Sequence, residues 1–169
     1  MSYIISQATE AHLSALPEIE RQAAFLFVDY DLPREVIEAA TPMASFRAAL
    51  HAGYLWVALA GELPVGFAQA ERLGANLHLE ELDVHPAHGR RGVGRALVEA
   101  VCACARAQGR RAVTLTTFRE IPFNEPFYQK LGFHSLAAEA LPPELKRRVA
   151  EEDARGLQAH RRVVMSKPV

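Results

Sequence analysis

The spacing of apolar positions changes several times along the chain between a period of two and a period near 3.6. This change predicts a mixed α/β fold with alternating strands and helices. The predicted strands are residues 3–8, 54–60, 65–72, 77–85, 112–117, 133–137 and 162–165. The first predicted helix begins near residue 10, after the capping residue Thr9. Four further helices are predicted at residues 42–53, 93–108, 124–131 and 142–154.

The order of these elements predicts how part of the sheet is built. The turn Gly61-Glu62-Leu63-Pro64 joins two strands into an antiparallel hairpin. Later, a strand, a glycine-rich loop, a helix and another strand follow one another. That succession predicts a right-handed crossover between two parallel strands.

The strand at residues 77–85 has an irregular apolar pattern. Leu77 and Leu79 lie on one face of a regular strand, whereas Leu82 and Val84 lie on the other. A bulge near residues 80–81 would return all four side chains to one face, and bulges are frequent beside active sites. The alternative is a regular strand that is covered on both faces.

Length and charge limit the class of protein. A chain of 169 residues that is 50% hydrophobic predicts one domain, residues 1–169, with one sizeable core. A net charge of −1 gives no basic excess for binding nucleic acid. No segment reaches the roughly 20 apolar residues of a membrane span. These properties favour a cytoplasmic protein that binds neither nucleic acid nor membrane.

The segment from His85 to Leu97 joins a strand to a helix through three glycines and three arginines. Glycines allow backbone amides to approach an anion, and a helix N-terminus offers unpaired N–H groups. The arginines add positive charge without a metal ion. The spacing fits neither the dinucleotide fingerprint nor the nucleoside triphosphate loop. The segment therefore indicates a phosphate site of another kind.

This segment resembles motif A of the GNAT acetyltransferase superfamily, written Gln/Arg-x-x-Gly-x-Gly/Ala. Gly92 and Gly94 match its second half, and the strand ending in residues 82–86 stands at the expected distance. Gly89 occupies the place that usually holds Gln or Arg, and Arg90 follows it. This departure changes one side-chain contact but leaves the backbone contacts.

A second segment, residues 124–133, resembles motif B of the same family. In that motif an asparagine precedes a short helix with an aromatic-tyrosine pair and the ending Leu-Gly-Phe. Asn124, Phe127 and Tyr128 match it, although the spacing from Asn124 to Tyr128 is compressed. The two resemblances together imply a GNAT-like fold, with a central mixed sheet of about seven strands, a bulged fourth strand and flanking helices.

The resemblance implies acetyl-CoA as a co-substrate, with no metal ion. The backbone of Leu82 and Val84 is expected to bind the pantetheine amides like an added strand, and residues 89–96 to hold the pyrophosphate. The implied cofactor-binding residues are Leu82, Asp83, Val84, Gly89, Arg90, Arg91, Gly92, Val93, Gly94, Arg95, Ala96, Asn124, Phe127, Tyr128 and Lys130.

The family reaction is direct attack of an amine on the thioester. By the resemblance, Tyr128 is the expected acid that protonates the sulfur of CoA. Glu81 is the preferred base, while Glu80 and His78 lie beside the same bulge. The expected activity is N-acetylation of a primary amine on an unidentified small molecule or peptide.

Alternatives stay open at this point. The chain could be a catalytically silent acyl-CoA-binding regulatory module, although Tyr128 favours an enzyme. The segment 25–43, where this fold usually varies, is the expected place of the acceptor pocket. A homodimer through the last strand and helix is possible in this fold.

Overall fold

The computed structural model describes residues 2–169 and contains one mixed β-sheet. Within these residues the sheet has seven strands in the order β1-β2-β3-β4-β5-β7-β6. The strands are β1 (Ile4–Gln7), β2 (Leu55–Ala60), β3 (Leu63–Leu73), β4 (Asn76–Val84), β5 (Ala112–Phe118), β6 (His134–Ser135) and β7 (Arg162–Pro168). Only β4 and β5 are parallel neighbours, and every other adjacent pair is antiparallel.

The helices connect and cover these strands. The α-helices are α1 (Leu16–Ala24), α2 (Arg34–Ile37), α3 (Met43–Ala52), α4 (Val93–Ala107), α5 (Glu125–Lys130) and α6 (Pro143–Ala154). Short 3-10 turns cover Glu10–Ala15, Phe25–Tyr30, Pro86–His88, Ala138–Ala140 and Ala159–Arg161. In residues 2–169, none of the helices combines the length and the apolar composition that crossing a bilayer requires.

The bulge in the fourth strand is present. Gln69 of β3 pairs with Glu81, and Ala70 pairs with Leu79, so that Glu80 has no partner across the ladder. The extra residue returns the apolar side chains of β4 to one face. Leu77, Leu79, Leu82 and Val84 all belong to or pack against one hydrophobic cluster. The bulge and the mixed seven-stranded sheet confirm the predicted fold class.

The two faces of the sheet are covered differently. One face packs against α4, with Leu97 and Val101 in the buried cluster. On the other face α1 and α3 cover β2 and β3 through residues such as Leu16 and Phe46. A smaller cluster around Leu145 joins α6 to β7 on that second face. The stretch of this face over Glu81 and Asp83 of β4 lies between the cluster of α1 and α3 and the cluster of α6, and it is here called the groove.

Local proline chemistry explains where the helices depart from the prediction. The segment from Glu10 to Ala15 is a 3-10 turn, and the α-helix begins only at Leu16. Pro17 lies in the first turn of α1 and has no N–H to donate to an earlier turn. At α3 the N-cap is Pro42, one residue before the helix begins, and Gly53 ends the helix with φ of 76°. The turn at Phe25–Tyr30 and α2 were not predicted.

Candidate active site

The parallel strands β4 and β5 separate beside the bulge. Their ladder contains three pairs, and the last joins Leu79 to Leu115. The remainder of β4 still pairs with β3, as Val84 with Gly66 shows. The N–H of His85 donates to the carbonyl of Val65 on β3. Because the N–H groups of successive residues in a strand point to opposite sides, those of Leu82 and Val84 point away from β3, toward the gap. A polar chain in this gap can therefore add to the edge of β4.

The loop after β4 offers backbone amides at the same end of the sheet. The N–H groups of residues 90–95, here called the amide cradle, donate to no other group of residues 2–169. Arg90 and Gly92 have positive φ angles of 59° and 82°. Alternating left-handed residues and a free helix N-terminus form a concave group of donors that suits an anion.

Charged and aromatic side chains border the cradle. Arg90 and Arg91 are exposed and form no ion pair within residues 2–169, whereas Arg95 binds Glu99 at 3.0 Å. A Cβ atom on Gly94 would lie 3.5 Å from the ring of Phe127. This close packing attaches the start of α5 to the start of α4.

Tyr128 lies on α5, buried between aromatic rings. Its side chain is 9% exposed, and the ring centroids of Phe127 and Phe133 lie 5.0 Å and 5.7 Å away. Burial raises the pKa of the phenol well above its ordinary value, and the charge of Glu81 adds to the effect. The hydroxyl therefore stays protonated near neutral pH and is available to donate a hydrogen bond.

Asn124 fixes the position of α5. Its Oδ1 accepts from the hydroxyl of Thr117 at 2.7 Å and from the N–H of Phe118 at 3.4 Å. The side chain thus ties the beginning of α5 to the end of β5. Lys130, at the other end of α5, is exposed.

Glu80, the bulge residue, is held in place by neighbours. Gln69 Nε2 donates to its Oε2 at 3.1 Å, and Arg148 Nη1 lies 3.5 Å from its Oε1. Arg148 also pairs with Glu71. Burial raises the pKa of Glu80, although the bond from Gln69 opposes that rise. This carboxylate is therefore anchored between β3 and α6.

Glu81 and Asp83 lack such partners. Both lie on the face of β4 opposite its apolar residues, and neither forms an ion pair within residues 2–169. Burial raises the pKa of Glu81 to about 8, with a further contribution from the charge of Glu20. Burial and the charge of Glu81 also raise the pKa of Asp83. Glu81 consequently changes protonation close to physiological pH.

His78 is unsuited to proton transfer at this site. The side chain is 1% exposed, and its Nδ1 lies 2.9 Å from the hydroxyl of Thr114 on β5. Burial, assisted by the positive charge of Arg162, lowers its pKa to about 4. His78 is therefore neutral at pH 7 and part of the contact between β4 and β5.

Arg162 is a largely buried arginine whose charge acts on His78, Glu81 and Tyr128. It starts β7, donates to the carbonyl of Thr116 at 2.9 Å and pairs with Glu152 at 3.3 Å. Its guanidinium also lies 4.9 Å from the ring centroid of Phe118. Its charge lowers the pKa of Glu81 and of Tyr128, against the larger effect of burial.

The variable segment predicted for the acceptor lies near the end of β5. Phe27 and Tyr30 pack edge-on against Phe123, with ring centroids 5.1 Å and 5.6 Å apart. Arg161 donates to the carbonyls of Tyr30 and Asp31, each at 2.8 Å. These contacts hold the segment against the residues that follow β5 and precede β7.

A sequence comparison identifies the family of this chain. The family model described as acetyltransferase (GNAT) domain matches residues 51–135, about half of the chain. That range contains the bulged strand, the amide cradle and Tyr128. The chain belongs to the GNAT acetyltransferase family. This assignment confirms the resemblance drawn from the two motifs.

Solved structures agree with this GNAT fold. The PaiA N-acetyltransferase from Thermoplasma acidophilum, in complex with coenzyme A, superimposes with a TM-score of 0.76 at 16% identity, over 100% of both chains. The ribosomal-protein-S18-alanine N-acetyltransferase from Escherichia coli gives 0.68 at 19% identity, over 99% of this chain and 94% of that one. Similarity at this level of identity establishes a shared fold.

Several residues of this GNAT site were not predicted from the sequence. Gln69 is a polar residue inside the apolar run of β3, and that interruption was the one available signal. Arg148 contacts the bulge from α6, and Glu20 and Arg162 act on Glu81 through their charges. Nothing in their local sequence marks them, because only the folded sheet brings them together.

Proposed function

We propose that this protein is an acetyl-CoA-dependent N-acetyltransferase, folded as one domain, that acetylates a primary amine by direct attack on the thioester. The observation that carries the proposal is the end of the β4–β5 ladder at Leu79 and Leu115, beside both the bulge and the amide cradle. The gap beside β4 suits the pantetheine arm, the amide cradle suits the pyrophosphate, and the phenol of Tyr128 suits the sulfur that leaves.

The chain fits acetyl-CoA in two ways. The unpaired amides of residues 90–95 supply donors for a pyrophosphate, and Arg90 and Arg91 add positive charge. The free edge of β4 at Leu82 and Val84 supplies backbone groups for the pantetheine amides. We infer that residues 89–96 and Phe127 contact the nucleotide half and that Asn124 and Lys130 belong to the border of this site.

In the proposed mechanism Glu81 is the base. With a pKa of about 8, it changes protonation near the operating pH, where a general base is most effective. It takes a proton from the ammonium form of the acceptor, so that the neutral amine can attack the thioester carbonyl. Glu80 is bonded to Gln69 and Arg148 and acts as the positioning residue of the bulge.

Tyr128 is the proposed acid. The nitrogen–carbon bond forms while the carbon–sulfur bond breaks, and the departing sulfur needs a proton. The phenol stays protonated at neutral pH because of its raised pKa. A backbone N–H of the bulged strand would stabilise the charge on the carbonyl oxygen. The products are the N-acetylated amine and free CoA.

Two measurements test this function. Isothermal titration with acetyl-CoA, using wild type and Gly92→Glu, tests the cradle, since a carboxylate there repels the pyrophosphate. A thiol assay with a panel of primary amines then tests transfer. Absence of binding at millimolar acetyl-CoA would exclude the enzyme. Binding without thiol release from any amine would favour a silent acyl-CoA-binding module.

A further inference from the structure

Two buried oxygen atoms in the groove above β4 have no donor. Asp83 is 8% exposed, and its Oδ2 forms no hydrogen bond within residues 2–169. Gln69 is 3% exposed, and its Oε1 is also without a partner in that range. Buried acceptors without a donor are costly, so a ligand that supplies N–H groups would satisfy them.

The orientation of the Gln69 amide follows from its other contacts. Its Nε2 donates to Oγ of Ser45 at 2.9 Å and to Oε2 of Glu80 at 3.1 Å. An ionised carboxylate only accepts hydrogen bonds, so the nitrogen must face Glu80. The oxygen of Gln69 is consequently the end that remains free.

These acceptors lie together on one face of the sheet. Gln69 is directly opposite Glu81 in the antiparallel ladder, and Asp83 is two residues farther along β4. Side chains opposite each other have Cβ atoms about 5 Å apart, and residues i and i+2 of a strand share a face. Glu81, Asp83 and the oxygen of Gln69 therefore line one short stretch of the groove.

The same stretch holds three carboxyl groups that no cation of residues 2–169 pairs with. The charge of Glu20 on α1 raises the pKa of both Glu81 and Asp83, which places its carboxylate near them. None of these three carboxylates forms an ion pair in the described part of the chain, and the carboxylate of Glu20 accepts from the N–H of Thr41 at 3.0 Å and from its hydroxyl at 2.7 Å. The nearby cations are already engaged: Arg162 pairs with Glu152, and Arg148 with Glu71 and Glu80.

We propose that Glu20, Gln69, Glu81 and Asp83, here called the acidic groove, select an acceptor that carries a second cationic group besides the amine that is acetylated. This inference rests on the proposed function. The reacting ammonium gives its proton to Glu81, which then becomes neutral. A second ammonium, unreacted and still charged, would donate to the free oxygens and offset the charges of Glu20 and Asp83.

The neighbouring pocket does not suit a cation. This pocket has a volume of about 220 Å³ and lies on the same face, between β5, β7 and α6. Its lining is mostly apolar, and its charged residues are Arg119 and Arg162. A second positive charge would be repelled there. The acidic groove is therefore the place where a dicationic acceptor is stabilised.

The test compares ligands of equal length. Binding of 1,5-diaminopentane and of pentylamine is measured by isothermal titration, both to the free protein and to the protein saturated with CoA. A hydrogen bond to a charged group stabilises a complex enough to lower its Kd about tenfold or more, so the diamine should bind at least that much more tightly than the monoamine. Asp83→Asn and Glu20→Gln should each reduce the ratio of the two affinities, diamine over monoamine, toward one. Glu62→Gln, on the exposed β2–β3 turn, removes the same charge and should leave the ratio unchanged.

The outcomes separate this inference from the proposed function. Equal affinities for diamine and monoamine in wild type would overturn the acidic groove, whatever acetyl-CoA does. An equal loss of ratio in Asp83→Asn and Glu62→Gln would also overturn it, because net charge alone would then explain the preference. If the protein prefers the diamine but does not bind acetyl-CoA, the inference about the acidic groove stands and the proposed acetyltransferase function is refuted. Circular dichroism of each variant checks that it is folded.

Discussion

Gln69 donates from its side-chain nitrogen to Glu80 at 3.1 Å, and this bond separates the roles of two adjacent glutamates. Glu80 is the residue that the β3–β4 ladder leaves out, and Arg148 approaches it from the other side. Glu81 is back in register and has no such bonds within residues 2–169. One glutamate is fixed by the bulge, and the other is free to exchange a proton.

We expect Glu81→Gln to lower kcat by about 100-fold or more, which is the usual contribution of a general base. The rate of wild type should rise with pH and level off above about pH 8, since Glu81 must lose its proton to act. Glu81→Gln should lose that rise. The measurement is a pH profile of kcat in the thiol assay.

Glu80→Gln is the matched control for this profile. It changes the neighbouring carboxylate in the same way but keeps Glu81, so the rise near pH 8 should remain. Ionisation of the acceptor affects both variants equally. If Glu80→Gln loses the rise of kcat with pH and Glu81→Gln keeps it, then Glu80 is the base and Glu81 is the positioning residue.

Tyr128→Phe should separate binding from chemistry. The hydroxyl is removed from a buried ring whose packing against Phe127 and Phe133 stays the same. We expect kcat to fall about 100-fold, and the Kd of acetyl-CoA to change less than threefold. Titration calorimetry and the thiol assay measure the two quantities. A loss of affinity as large as the loss of kcat would show that the phenol binds the co-substrate rather than donating a proton.

Much of this architecture was predictable from local patterns. The bulge followed from the apolar positions of β4, because Leu79 and Leu82 share a face only if one residue is extra. The glycine-rich loop and the crossover followed from spacing. The acidic groove did not, because Glu20 and Asp83 meet only after α1 folds onto the sheet. The 3-10 turn before α1 did not follow from the apolar spacing, because a helical period is blind to Pro17, which has no N–H to donate to an earlier turn.

The two glycines of the cradle should differ in their tolerance of alanine. Gly92 has φ of 82°, where any side chain is strained, although nothing lies within 4 Å of a Cβ there. Gly92→Ala should lower the free energy of unfolding by about 1–2 kcal/mol. Gly94 is helical, and a Cβ would make ordinary contacts at 3.5 Å and 3.8 Å.

Gly94→Ala is therefore the control, and it should be neutral or stabilising by up to about 1 kcal/mol. Urea unfolding of the protein without ligand gives both values. If Gly94→Ala destabilises the protein as much as Gly92→Ala does, this expectation is wrong, and the contact between Gly94 and Phe127 is a steric limit of its own.

The raised pKa of Glu81 also predicts how stability depends on pH. A carboxyl whose pKa is raised on folding favours the folded state below its unfolded pKa, near 4.5, and this contribution is lost as pH rises through the folded pKa of about 8. Without ligand, wild type should therefore be less stable at pH 8.5 than at pH 5, because a buried carboxylate must ionise beside Glu20 and Asp83.

Glu81→Gln removes this ionisation and should raise the free energy of unfolding at pH 8.5 by on the order of 2–3 kcal/mol relative to wild type. At pH 5 the difference should be much smaller, since the folded wild type is then neutral at this position. Urea unfolding at the two pH values measures the difference, with Glu62→Gln as an exposed control that should behave as wild type. A variant that is less stable than wild type at pH 8.5 would mean that Glu81 has a cationic partner when folded, and the base assignment would lose its electrostatic support.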